Sequence, residues 1–459
     1  MAARGVPGVV AYYGMGILSL PVASKSLRCG RMPDSSSEQL RGRLEDALPD
    51  RPFTLRFWDG GEVTATREGP TLTLNSPRAI GHMLRAPGEL GVGRAYVTGE
   101  IDVDDLDAVM ALLGRWEPAS LSLTAKAGLA LAARKAADGE RPDPPEAELQ
   151  PAGSKTHTVE RDAEAVRHHY DVSNEFFALF LDETMTYSCG LWEEGVETLE
   201  DAQRAKLELI CRKLELEPDQ RMLDIGCGWG SLGLHAAREH NVRVLGITLS
   251  PPQAELANQR AREQGLADLA RFEVADYREL GDDEFDAVAS IGMVEHVGVS
   301  QGDEYAAQIA RVLKPGGRAL NHGIAWIPYD SSGGHIGADF SIRYVFPDAE
   351  VQNLWRMQQS LEKAGLETLH VENLHSDYAE TLRHWAIRLD ENLDRAIQLA
   401  GEERVRVWRL YLRAARNGFE IGLTGVYQML CSHPIAEEPS GSPKGLRHSE
   451  ARRRVPADL

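Results

Sequence analysis

The feature that most constrains the fold is a glycine-punctuated turn at the end of an apolar strand, Leu223-Asp224-Ile225-Gly226-Cys227-Gly228-Trp229-Gly230-Ser231. Glycine adopts positive φ readily and lets a backbone approach a ligand closely, and free amides at the start of the next helix favour an anionic group. A strand feeding such a loop is where an open α/β sheet holds a nucleotide-like ligand. The flanking pattern agrees. From Thr156 to about Pro434 strand-like runs alternate with amphipathic helices, as in a parallel sheet. Arg221–Ile225, Val242–Ile247, Phe285–Ile291 and Arg318–Ile324 read as strands, the last following a helix stopped at Lys314-Pro315-Gly316-Gly317.

Three details favour S-adenosylmethionine over a dinucleotide. The glycines are spaced G-x-G-x-G, Asp224 lies one residue before the strand end, and Ala275-Asp276-Tyr277 follows a further short strand, placing Asp276 to accept from an adenine amino group. At the end of the second strand a dinucleotide site carries an acidic residue for the ribose. Here that place is taken by Gly246-Ile247-Thr248-Leu249-Ser250-Pro251-Pro252-Gln253. The expected fold is α/β, a Rossmann-like class I methyltransferase sheet; the bland alternative is that the glycines merely make a sharp turn.

A chain of 459 residues is too long for one ordinary domain. Residues 38–135 read as a small N-terminal α+β domain, with Phe53–Trp58 and Thr71–Leu74 as strands and Asp59-Gly60-Gly61 as a turn. Residues 136–155, rich in proline and charge, read as a linker, and 156–434 as the methyltransferase domain. Residues 1–37 are expected to be a disordered leader, with Met32 an alternative start, and 435–459 a disordered tail.

The net charge of −20 argues against a nucleic-acid partner. Five scattered cysteines without C-x-x-C spacing imply neither a disulfide framework nor a zinc ribbon and point to a cytoplasmic protein. The histidines lack a ligand spacing such as H-E-x-x-H, so no metal is expected.

Upstream of the glycine loop runs His168-His169-Tyr170-Asp171-Val172-Ser173-Asn174-Glu175-Phe176-Phe177, then Leu181-Asp182-Glu183-Thr184-Met185-Thr186-Tyr187-Ser188-Cys189. This resembles the H-Y-D-x-x-N-x-F-F…L-D-x-x-x-x-Y-S-C signature of cyclopropane fatty acyl phospholipid synthases and the mycolic acid methyltransferases. Gly246–Ser250, Gly292-Met293-Val294-Glu295-His296-Val297-Gly298 and Arg343-Tyr344-Val345-Phe346-Pro347 extend the resemblance over nearly all of Thr156 to Cys431. Around Gly99–Leu106 the N-terminal unit looks like the extra domain of the phospholipid-acting members.

The resemblance implies cofactor contacts from Tyr187, Ser188, Asp224, Gly226, Gly228, Gly230, Thr248, Gln253, Ala275 and Asp276, and a bicarbonate ion serving as base, held at Cys189, Glu295, His322 and Tyr378. The chemistry agrees, because an alkene that takes up a methyl cation must then lose a proton before water quenches it. Taken singly, each residue has a bland reading: Cys189 as a small buried hydrophobe, Glu295 as a capping or surface group, Tyr378 as a core tyrosine. One departure is Ala415, where many family members carry a cysteine; another is Asp348-Ala349, where they often have two glycines.

The implied substrate is a membrane phospholipid with an unsaturated acyl chain, approached by peripheral membrane contact. The arginine-rich stretch Arg404 to Arg416 offers a headgroup contact or a structural helix with a solvated edge. Proton loss from the added methyl gives a cyclopropane; a preceding hydride shift gives a methylene branch that a separate reductase would complete. Homo-oligomerisation is left open. The rival readings are a soluble O-, N- or S-methyltransferase for small molecules and an inactive lipid-binding relative.

Overall fold

The computed structural model describes residues 35–113, 115–149, 158, 161, 172–281, 283–327 and 338–435. The leader up to residue 34, most of 150–171 including His168 to Asp171, and the tail from 436 lie outside the described residues. The chain divides into two compact units, one holding the N-terminal part to Leu149 with His335–Tyr344 and Glu402–Leu410, the other holding the remainder.

In the first unit, strands β1 (Thr54–Arg56), β2 (Glu62–Val63), β3 (Thr71–Leu74) and β4 (Ile101–Val103) form a sheet in the order β2-β1-β3-β4. The expected turn is present: Gly60 has φ +83°, and Asp59 accepts from the Gly61 amide at 2.9 Å. Leu40, Phe57, Val63, Leu74, Ile80, Ile101 and Leu129 make the core. Ser35–Ala47 is helical and Ser37 is buried, so the ordered body starts inside the stretch expected as leader.

The expected linker is also partly structural. Glu148 is buried and accepts from Nε and Nη2 of Arg94 at 2.6 Å, from the Tyr344 hydroxyl at 2.9 Å and from Arg343 at 3.1 Å. A buried charge persists only with such partners, which accounts for 338–344 belonging to this unit rather than to a continuous 156–434 domain. Arg406 joins it likewise, donating to the Tyr96 and Ile101 carbonyls and to Asp102, its guanidinium 4.3 Å from the Tyr96 ring centre. In the second unit Arg413, 5% exposed, pairs with Asp390, and Arg416 with Glu420. These three arginines are structural, not a headgroup-facing edge.

The second unit is built on β5 (Arg221–Ile225), β6 (Arg243–Thr248), β7 (Ala270–Val274), β8 (Phe285–Ile291), β9 (Leu313–Trp326), β10 (Gln352–Asn353), β11 (Glu367–Asn373) and β12 (Thr424–Ser432). Seven of them run in the order β11-β12-β9-β8-β5-β6-β7, with β10 beside β9. β5 to β9 are mutually parallel, whereas β12 is antiparallel to both β9 and β11. The order reverses at β5, and the crevice beyond such a reversal is where these sheets bind ligands. Core residues fill both faces: Met222, Val244, Ala287 and Leu320 on one, Leu223, Ile247, Val288 and Ala319 on the other. β9 begins earlier than the sequence implies, at Leu313, and its pairing with β8 shifts register between Phe285 and Ala287, where Pro315-Gly316-Gly317 interrupts the ladder.

Candidate active site

The glycine loop leaves β5 and leads into the Ser231–His240 helix, with Gly226, Gly228 and Gly230 at φ +76°, +53° and +83°. The Gly226 and Cys227 amides both donate to the Ile247 carbonyl at 2.9 Å, tying the loop to the end of β6. A Cβ added at Gly228 would meet no protein atom within 4 Å, whereas one at Gly246 would lie 2.4 Å from the Phe272 ring. The first glycine faces open space; the second is a packing glycine.

Around this loop, buried polar atoms lack protein partners. Asp224 is 2% exposed, its Oδ2 accepts from nothing, and burial pushes its carboxyl up to about 7. Gln253 accepts from the Thr248 hydroxyl at 2.7 Å while its Nε2 donates to nothing. Ala275 lies just past β7, its amide bonded to the Thr248 carbonyl. Asp276 is buried but both its oxygens accept from Arg278, at 2.8 Å from Nε and 2.6 Å from Nη2, so it carries its own cation.

The Tyr187 ring meets Phe177 edge-on and Trp385 at a tilt, with ring centres 5.6 and 5.2 Å away. Ser188 accepts from Lys206 Nζ at 2.8 Å. Lys206, 1% exposed in the Leu199–Leu214 helix, escaped the sequence reading because A-Q-R-A-K looks like the polar face of a surface helix. Burial lowers its ammonium to about 8, opposed by the nearby charges of Asp182 and Asp224 and by the Cys189 thiol. It is the electrostatic link between the glycine loop and the second cluster.

Of the remaining expected residues, Cys189 and His322 both feel the Lys206 charge and make up that cluster, while Tyr378 and Glu295 are placed by other contacts. Cys189 is fully buried, burial pushes its thiol well up, and Sγ donates to the Gly190 carbonyl at 3.1 Å with Leu374 O at 3.7 Å. Half-buried Tyr378 starts one turn past Leu374, its amide bonded to the Leu374 carbonyl and its ring 4.8 Å from Phe419. Glu295, in the short Val294–Val297 helix after β8, accepts from the Ile324 amide through Oε1, while Oε2 is buried without a partner. Burial pushes its carboxyl up to about 7.

His322 on β9 is 2% exposed, and burial with the charges of Lys206 and Lys213 lowers its imidazolium to about 3, so the ring is neutral. Its tautomer follows from a buried chain. Lys213 donates to Glu372 at 2.6 Å and to Gln428 Oε1 at 2.7 Å, and Gln428 stands opposite His322 in the β9–β12 ladder. With its carbonyl turned to the ammonium, Gln428 offers its NH2 to His322 Nδ1 at 3.3 Å. Nδ1 therefore accepts and Nε2 carries the proton. That Nε2 is buried with no protein partner.

The arrangement thus presents two sets of unsatisfied groups: Asp224 and Gln253 beside an open glycine face, and, along β9, His322 Nε2–H with Oε2 of Glu295, whose other oxygen holds the Ile324 amide two residues past His322. Buried polar atoms left unpaired are costly and call for a bound group. The family described as mycolic acid cyclopropane synthetase matches residues 157–429. The chain belongs to this family. It is an S-adenosylmethionine-dependent methyltransferase of the cyclopropane synthase type, and the unpaired atoms at the glycine loop fit that cofactor.

Among its relatives, a probable fatty acid methyltransferase of Pseudomonas putida is 36% identical over 84% of this chain and 93% of its own length. The cyclopropane-fatty-acyl-phospholipid synthase of Escherichia coli is 32% identical over 76% of this chain and 84% of its own. The solved cyclopropane synthase MmaA2 of Mycobacterium tuberculosis superimposes with a TM-score of 0.57 at 30% identity, over 61% of this chain and all of that one. The longer matches exceed what 157–429 and the residues after it supply, so they run into the N-terminal unit.

Proposed function

We propose that this enzyme adds a methyl group to the cis double bond of an unsaturated acyl chain in a membrane phospholipid and then removes a proton from it, with bicarbonate as the base. The observation that carries the reading is the buried pair of unsatisfied atoms, Glu295 Oε2 and His322 Nε2–H. A heteroatom acceptor needs no such pocket; an alkene does. Names of relatives that refer to fatty acids and fatty-acyl phospholipids support the substrate class.

When bound, S-adenosylmethionine supplies an electrophilic sulfonium methyl. Attack by the double bond would form one carbon–carbon bond as the methyl–sulfur bond breaks, its electron pair leaving with S-adenosylhomocysteine, and would leave a carbocation on the neighbouring carbon. Loss of a proton from the new methyl lets its C–H electron pair close a cyclopropane ring; a prior hydride shift gives a methylene branch instead. Bicarbonate would be held by the His322 Nε2–H and the Tyr378 hydroxyl, with Glu295 Oε2 accepting its O–H. The Cys189 thiol is directed to backbone carbonyls, so its contribution falls to the backbone amide. Burial around these groups excludes water, which would quench the cation. Among the described residues no helix is long and apolar enough to cross a membrane, and contact with the bilayer is peripheral in this reading, from the cytoplasmic side.

With unsaturated phosphatidylglycerol or phosphatidylethanolamine vesicles, the rate should fall on removing bicarbonate and return on adding it back. Activity on aqueous acceptors alone, or a rate indifferent to bicarbonate, would favour the soluble heteroatom enzyme. Gln428→Leu removes the donor that fixes His322 and should lower turnover roughly tenfold, the scale of one buried hydrogen bond. Cofactor affinity measured by calorimetry should stay unchanged; a loss confined to affinity would contradict this positioning role.

A further inference from the structure

Within the second unit, the Leu199–Leu214 helix, which also carries Lys206 and Lys213, packs against the Ser231–His240 helix. Their facing turns gather Cys211, His235 and His240, one ligand atom of each lying within 4.8 Å of the others. Glu208, one turn before Cys211, sets a single oxygen, Oε2, 3.2 Å from His235 Nε2 and 3.1 Å from His240 Nε2. Cys211 is fully buried and His235 5% exposed, while His240 and Glu208 are part-buried. The outer oxygen of Glu208 faces Arg212 Nε at 3.9 Å, leaving Oε2 for the interior.

We propose that Glu208, Cys211, His235 and His240 form a binding site for one divalent transition-metal ion of the zinc class. The donor set decides the class. One sulfur and two imidazole nitrogens are poor partners for magnesium or calcium, which take oxygen shells, whereas sulfur, nitrogen and carboxylate ligands in fours are the structural zinc pattern. A tetrahedral shell with bonds of about 2.0–2.3 Å sets its donors roughly 3.3–3.8 Å apart. The carboxylate oxygen already stands near that spacing from each imidazole nitrogen, and the ligand atoms of Cys211, His235 and His240, within 4.8 Å of one another, would draw together to complete the shell. Four protein ligands close the shell, so the ion is structural. It would clamp the helix carrying Lys206 to the helix that begins at the glycine loop. Uptake releases the Cys211 thiol proton to solvent, while each neutral imidazole carries its single proton on Nδ1 so that Nε2 can bind the ion.

The test uses the full-length protein, stripped with a chelator and titrated with Co2+ as spectroscopic probe and then Zn2+. One Co2+ per chain should give tetrahedral d–d absorption with a thiolate-to-cobalt charge-transfer band, and Zn2+ should displace it and raise the thermal midpoint. Cys211→Ser should abolish the charge-transfer band. His240→Asn, at a part-buried position, should weaken Zn2+ affinity roughly a hundredfold. A parent protein giving only the spectrum of hydrated Co2+ and no thermal shift would overturn the site. So would equal affinity in the parent and both variants, which would place the ion elsewhere.

Discussion

Glu295→Gln is expected to lower lipid methylation roughly a hundredfold, the scale of losing one positioned acid–base or anion-orienting group, while leaving cofactor affinity unchanged. The amide oxygen of glutamine can still accept from the Ile324 amide that Glu295 Oε1 engages, so the local fold survives. Stability should move the other way. Burial raises the Glu295 carboxyl from 4.5 to about 7 in the folded protein, so between those values the native chain holds a proton that the unfolded chain has lost. Stability falls as pH rises through that window, and the cost is fully present above about 7. The glutamine variant should therefore be more stable than the parent at pH 8, by an amount on the order of 3 kcal/mol at most, and the gap should close toward pH 4. Thermal melts across this range check the sign. A variant that loses stability together with activity would mean that Glu295 serves packing rather than chemistry.

Gly228→Val should reduce cofactor affinity by more than a hundredfold without unfolding the protein. The backbone at Gly228 has φ +53°, a conformation that costs a side-chain-bearing residue about 1–2 kcal/mol, and the added group would project into space that no protein atom occupies. Calorimetry with S-adenosylhomocysteine measures the loss directly. Gly246→Ala is the contrasting control: its Cβ would collide with Phe272, so it should lower the melting temperature whether or not ligand is present. Unchanged affinity in Gly228→Val would move the cofactor away from this loop.

The legible parts of the site were those written in local spacing. The G-x-G-x-G loop, the strand ends at Thr248 and Val274 and the segment Tyr187-Ser188-Cys189 each declare themselves within about ten residues. What escaped depends on distant partners. Lys206 reads as a surface lysine and is buried because Ser188 and the charges around Asp224 receive it. The Lys213–Glu372–Gln428–His322 chain joins a helix to the three neighbouring strands β11, β12 and β9, and the antiparallel placement of β12 that creates it has no signal in its own nine residues. Likewise the cysteine–histidine cluster lies on two helices without a compact ligand motif. Asp348 illustrates an intermediate case: at a place where the family resemblance leads one to expect glycine, it adopts φ +63° and pairs with Arg161 at 2.6 Å, a left-handed position aspartate tolerates better than most residues.

The central claim, that a methyl group enters a carbon–carbon double bond and then loses a proton in the Glu295–His322 pocket, is tested most directly by isotope retention. Purified enzyme would be given unsaturated phospholipid vesicles and S-adenosylmethionine carrying a trideuterated methyl, and the recovered acyl chains analysed by mass spectrometry. The account predicts one added carbon in the acyl chain bearing two of the three deuteriums, the third having left as a deuteron. Retention of all three, or label found in a headgroup or an aqueous acceptor rather than the acyl chain, would contradict it.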